Sequence, residues 1–233
     1  MNFLSHFYFD RHNSDPNMVL GTVLPDLVKN ARKDWNLHPE KKEALFTGPA
    51  EKSILRGWKR HLIVDRYFHN SGFFTKHTYA IRTAIAPVLV HSLVRPSFVA
   101  HIALEIMLDS ILLTEDIINA DDLYTSLHQS DRTSLDSFLK LNRMDDTAHF
   151  FKFFDKFLEV RYLSSYREAH HIMYAVNRIC MRVWPEPLND TQMLQLSAIL
   201  LAHYEELQKE YMRIFEEINE ILIANQECRM PRD

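Results

Sequence analysis

The chain has 233 residues, 46% apolar and 25% charged, with a formal net charge of −4 when histidine is neutral. A chain of this length buries a full core without staples, and its mild acidity excludes the global basic field of a nucleic-acid binder. Four glycines are too few for an all-β chain or a phosphate-loop fold, which need glycine where φ turns positive.

Residues 1–9, "MNFLSHFYF", are apolar and expected as a helix or a buried extended segment. They lack the basic region and long apolar run of a signal peptide. "NSDPN" at 13–17 marks a turn. "MVLGTVLPDLVKN" follows, with Pro25 and Asp26 at a helix start or bend. Residues 30–52 are polar, carry Pro39 and Pro49, and predict short helix mixed with loop. Ile54, Leu55, Trp58, Leu62 and Tyr67 or Phe68 fall at helical spacing and predict a helix from about 51 to 70. Residues 73–94 predict another, kinked or split at Pro87. "RPS" at 95–97 opens the next, with Ser97 as N-cap and an end near 114. Short helices are expected over 121–128 and 133–142, then a Phe-rich one over 147–164. A further helix over 166–183 is stopped by "WPEP" at 184–187.

The last helix opens at "NDTQ" and is expected to run as one piece from about 189 to 226. Its stripe of Met193, Leu196, Leu200, Leu207, Tyr211, Ile214, Ile218 and Ile221 is a packing seam, either a core spine or a homodimer surface. No alternating strand of useful length occurs. The expectation is an all-α, single-domain helical bundle over residues 1–233. No run of about 18 uncharged apolar residues is present, so no membrane span is expected. Cys180 and Cys228 form no disulfide framework, which suits a reducing compartment, and a cytoplasmic protein is expected.

Thirteen histidines are the compositional oddity. "WKRHLIVDRYFH" places His61, Asp65 and His69 four residues apart. "AHIALEIMLD" repeats the spacing with His101, Glu105 and Asp109. Residues at i and i+4 are neighbours on a helix, so each stretch makes a ladder of imidazole and carboxylate. Two such helices packed face to face would bring up to six N and O ligands together, as helical bundles do at metal sites. That donor set suits Mn, Mg, Fe or Zn. The plain alternative is a pair of solvated charged faces. Against it, Leu62, Ile63 and Val64 flank the first ladder, and the second helix is apolar nearly all round. Burying His, Glu and Asp there without partners costs several kcal/mol. Asp26 among Val23, Leu24, Leu27 and Val28 is a third metal candidate, with a helix N-cap as its alternative. His6 is a ligand or catalytic candidate, with a satisfied core histidine as its alternative.

These stretches resemble, in order, the acyl carrier protein phosphodiesterase family. The resemblance rests on "MNFLSHFYF", "LGTVLPDLV", His-x-x-x-Asp in "RHLIVDRYFH", "LEIMLDSILL" at 104–113 and "RYLSSYREAHHIMYAVNRICMRV" at 161–183. It implies an HD-like metal phosphohydrolase that removes the 4′-phosphopantetheine arm from holo acyl carrier protein with a divalent ion such as Mn or Mg. Asp26, His61, Asp65, Glu105 and Asp109 match its polar site positions. The chain departs from it at His69 and Glu105, where the family tends to have Asp, and at Ser110, where it tends to have His. His101 has no clear counterpart.

If the chain is such an enzyme, His69 is the candidate acid for the leaving serine oxygen. Arg66, Arg60 and Arg167 are the candidate phosphate-binding groups, with Arg178 and Arg182 behind them. Tyr166 is a site hydrogen-bonder or a core aromatic. His-x-x-x-Asp with a downstream His-x-x-x-Glu is also similar to zinc-dependent phospholipase C-like proteins. Another all-α metal hydrolase for phospholipid or nucleotide esters, or a non-catalytic carrier-protein-binding protein, therefore stays open.

Overall fold

The computed structural model describes residues 1–186 and 188–227; Pro187, within "WPEP", and Cys228 lie outside the described residues. No strand occurs among the described residues, and the protein is all-α. The helices pack as two compact units, each assembled from separated segments.

The first unit comprises Asn2–Asp65 and Asp116–Ser164. It holds α1 (Phe3–Tyr8), α2 (Pro16–Ala31) and most of α3 (Pro49–Asn70), then α6 (Ala120–Gln129), α7 (Arg132–Leu141) and α8 (Thr147–Val160). α2 is its centre, packed by α1, α6 and α8. Asp15 caps α2 by accepting from the backbone N–H groups of Asn17 and Met18, with Pro16 in the first turn, where it removes an N–H that has no helical partner anyway. Pro25 lies inside α2, not at its start. The apolar face of Val19, Leu20, Val23, Leu24 and Leu27 carries the helix through the lost hydrogen bond, each of these side chains being fully buried.

α2 and α3 touch backbone to backbone. A Cβ on Gly21 would run into the Ile54 carbonyl, and one on Gly57 into the Met18 carbonyl. Two of the four glycines are therefore spent on one helix crossing. α8 ends where Arg161 turns left-handed at φ 50°.

The second unit comprises Met1, Arg66–Glu115 and the chain from Ser165. Its helices are α4 (Gly72–Ile85), α5 (Pro96–Thr114), α9 (His171–Cys180), α10 (Asp190–Leu207) and α11 (Met212–Glu227). α5 packs on α4 and α9, and α10 packs on the same two helices. α4 starts at Ser71, whose hydroxyl accepts from Phe74 N–H, and gives way near Pro87 to a short 3-10 turn at Ala86–Leu89. α5 begins two residues earlier than the Ser97 cap implies. Pro96 is at its first turn and Arg95 is the N-cap without a side-chain bond, because a proline with φ already set is pre-organised for that place. α5 is long and apolar enough to cross a membrane, but most of it is buried inside the protein. It is packed as a core helix.

The single last helix expected over 189–226 is two helices, interrupted at residues 208–211. There Lys209 and Glu210 N–H bond three residues back, to Glu206 and Leu207. Neither Gly nor Pro stands at the joint, so apolar periodicity runs straight across it. Of the stripe, Leu196, Leu200, Leu207, Ile214 and Ile218 are buried by the chain itself and serve as a core spine.

Candidate metal centres

In the first unit α1 and α3 bring His6, His61 and Asp65 together, with ligand atoms within 4.8 Å of one another. The two imidazole rings stack at 3.8 Å between centroids and 19° between planes. His61 Nδ1 is 2.9 Å from the Thr22 carbonyl oxygen. A carbonyl only accepts, so Nδ1 carries the hydrogen and the lone pair of neutral His61 is on Nε2. That Nε2 faces Asp65 Oδ2 at 3.6 Å, while His6 Nε2 lies 3.2 Å from Asp65 Oδ1.

Burial, then the neighbouring His6, hold His61 well below the ordinary histidine value, against the pull of Asp65. Burial alone would raise the Asp65 carboxyl. Its hydrogen bond with His6, first among the opposing causes, and nearby positive charge outweigh burial and hold it far below the usual carboxylate range. Near neutral pH the pair is thus an imidazole lone pair against a carboxylate, two electron donors with no proton to share. A cation suits that arrangement, and the Thr22 hydrogen bond is the kind of outer support that fixes a ligating ring. Three protein ligands leave positions open, as catalytic sites do.

In the second unit His69 at the end of α3 meets His101 and Glu105 of α5. His69 Nε2 is 3.2 Å from His101 Nε2 and 3.2 Å from Glu105 Oε1, and His101 Nε2 is 3.1 Å from the same oxygen. The Met1 ammonium stands 3.0 Å from that oxygen too. Burial pushes the Glu105 carboxyl up, and the ammonium, His101 and His69 together pull it well below its ordinary value.

The ladders read from spacing do not act as units. His61 and Asp65 pair with His6, and His69 pairs with the second ladder. Each four-residue step drifts about 40° round the helix, so the third rung points about 80° from the first. Asp109 is fully buried but outside both groups, for the same reason relative to His101. Asp26 is also outside them; it lies within α2 and caps nothing at that helix's start, where Asp15 does so.

His6 and His69, expected as catalytic groups, are in the two ligand sets. Arg60 donates to the buried Asp10 carboxylate at 2.7 Å and is committed to it. Arg66 and Arg167 are exposed. Tyr166 is a buried core aromatic, and Ser110 donates to Tyr204 Oη at 3.4 Å. Sequence reasoning missed the Thr22 carbonyl and Phe74, whose ring edges meet His69 at 5.0 Å and His101 at 5.1 Å. Gly21, inside an apolar run, and Gly57, inside the helix expected over 51–70, were the available signal for the crossing that sets Thr22 beside His61.

An all-α chain with two groups of paired imidazoles and a carboxylate has the make-up of a helical protein able to hold metal ions. The family model for acyl carrier protein phosphodiesterase matches residues 1–218, and the chain belongs to that family, whose name describes a hydrolase. No curated protein and no solved structure matches the chain.

Proposed function

We propose that the protein is a metal-dependent phosphodiester hydrolase that releases the 4′-phosphopantetheine arm from holo acyl carrier protein, and that it works in the cytoplasm. Family membership supports the reaction and the substrate. The observation that carries the metal dependence is the His61 Nε2 lone pair set against the Asp65 carboxylate, with His6 beside them. The residues fit an ion: two imidazoles and one carboxylate favour Mn, Fe or Zn, whereas Mg prefers oxygen ligands.

Such an ion would activate water near neutral pH and draw charge from the phosphoryl oxygens. The chain's own residues do the rest. Thr22 O holds the proton of His61 on Nδ1 and so keeps Nε2 as the donor atom. Asp65 supplies the negative charge that retains the ion, and His6, stacked on His61, completes the set.

The test is hydrolysis of holo acyl carrier protein by chelated enzyme, by enzyme reloaded with Mn or Zn, and by His61→Ala and Asp65→Asn. Reloaded wild type should release phosphopantetheine. The chelated enzyme and both variants should lose activity by about 10³-fold or more, since several kcal/mol of transition-state stabilisation go with the ion. Release unaffected by chelation or by either substitution would sink the reading.

A further inference from the structure

We infer that His69, His101 and Glu105 form a second cation site in its own right, selective for a transition ion such as Zn, Fe(II) or Mn(II) over Mg. Three donor atoms, two Nε2 and one Oε1, make a triangle with edges of 3.1, 3.2 and 3.2 Å. Ligands bonded at about 2.0–2.1 Å sit about 3.3 Å apart round a tetrahedral ion and about 3.0 Å apart round an octahedral one. The observed edges fall between these values.

Hydrogen bonds do not fill every edge of the triangle. Each Nε2 carries at most one hydrogen and the carboxylate oxygen none, so at most two of the three edges hold a proton. The Met1 ammonium adds a donor to Oε1, at 3.0 Å. One cation inside the triangle answers all three atoms at once.

The site is also built and reachable. Phe74 meets both imidazoles edge-on, at interplanar angles of 76° and 81°, and so walls their rings. His101 is 42% exposed while Glu105 is only 16% exposed, which gives an ion a way in from solvent and an anchor beneath it. Two nitrogen donors out of three select against Mg, which prefers oxygen and gives up water reluctantly. This site does not rest on the hydrolase reading, which uses His6, His61 and Asp65.

Elemental analysis after chelation, reloading with Zn and desalting tests it on the full chain. Wild type should hold two equivalents, and His61→Ala and His101→Ala one each. A hundredfold excess of Mg should leave the equivalent in His61→Ala in place. One equivalent in wild type, unchanged in His101→Ala, would overturn the site and leave the Met1 ammonium as the counter-charge of Glu105. Displacement by Mg would overturn the selectivity. Should His101→Ala fail to melt cooperatively, His61→Ala decides: one equivalent supports the site and none overturns it. Should neither variant fold, His69→Ala takes their place: one equivalent fewer than wild type supports the site and an unchanged count overturns it. Carrier-protein hydrolysis enters none of these outcomes, so the hydrolase reading can fail while this one stands.

Discussion

His61 and Arg60 are neighbours in the chain with opposite fates. His61 gives its Nδ1 hydrogen to Thr22 and turns a lone pair toward Asp65. Arg60 turns to Asp10, whose side chain is wholly buried and also accepts from Thr22 Oγ1 at 2.7 Å. A buried carboxylate stripped of its cation is costly, so Arg60→Ala should lower unfolding free energy by about 3 kcal/mol in urea melts. Its KM for carrier protein should stay near that of wild type. A raised KM with unchanged stability would restore Arg60 as a phosphate-binding group. Residue type and spacing make these two side chains look equally available. Only the partner each one meets, far away in sequence, separates them.

At the scale of helices, the α2–α3 crossing positions the first centre. Gly21→Ala and Gly57→Ala each drive a methyl into a facing backbone carbonyl, and backbone has no rotamer to relax into. Each should cost about 3 kcal/mol or more and weaken metal retention, because Thr22 is next to Gly21 and His61 is one turn beyond Gly57. A melt and a metal count on the same sample would check both.

The joint between α10 and α11 carries a different signature. His77 of α4 lies 3.1 Å from His203 Nε2 through Nδ1, and 3.4 Å from Glu210 through Nε2; Lys76 also reaches Glu210. Burial first, then the charge of His203, push His77 down to about 4, while Glu210 pulls the other way. The unfolded chain takes up this proton near the ordinary value of about 6.5. Between those values the unfolded state binds more protons, so this contribution to stability is full above 6.5 and declines as pH falls toward 4. His77→Gln should flatten the decline in denaturant melts run across that window. An unchanged slope would show that other groups carry it.

For the whole chain, the all-α class and most helix positions were legible without coordinates. Glycine scarcity and the 3.6-residue apolar period are local signals, and α3, α5, α6, α7 and α8 lie close to where those signals put them. The break at 208–211 was illegible, because no turn residue marks it and the apolar stripe stays in phase across it. Metal loading is the property to measure at this scale. An ion at a hundred times its dissociation constant adds about 2.7 kcal/mol to a native state that alone binds it. For a chain of this length the melting temperature should then rise by roughly 5 to 10 °C on loading, and fall back on chelation. No rise with Mn, Fe or Zn would count against both centres.

The sequence by itself determined the helical class, the helices that carry the ligands and five of the six residues' places on the two ladders, since helix period and residue chemistry are local. Tertiary structure alone decided that His6 completes the first set, that His69 leaves its own ladder for His101 and Glu105, and that Asp26 and Asp109 belong to neither. The reason is geometric. A helix fixes the angle between rungs, but which rung meets which partner depends on how the helices cross, and that is set by packing contacts such as Gly21 against Gly57.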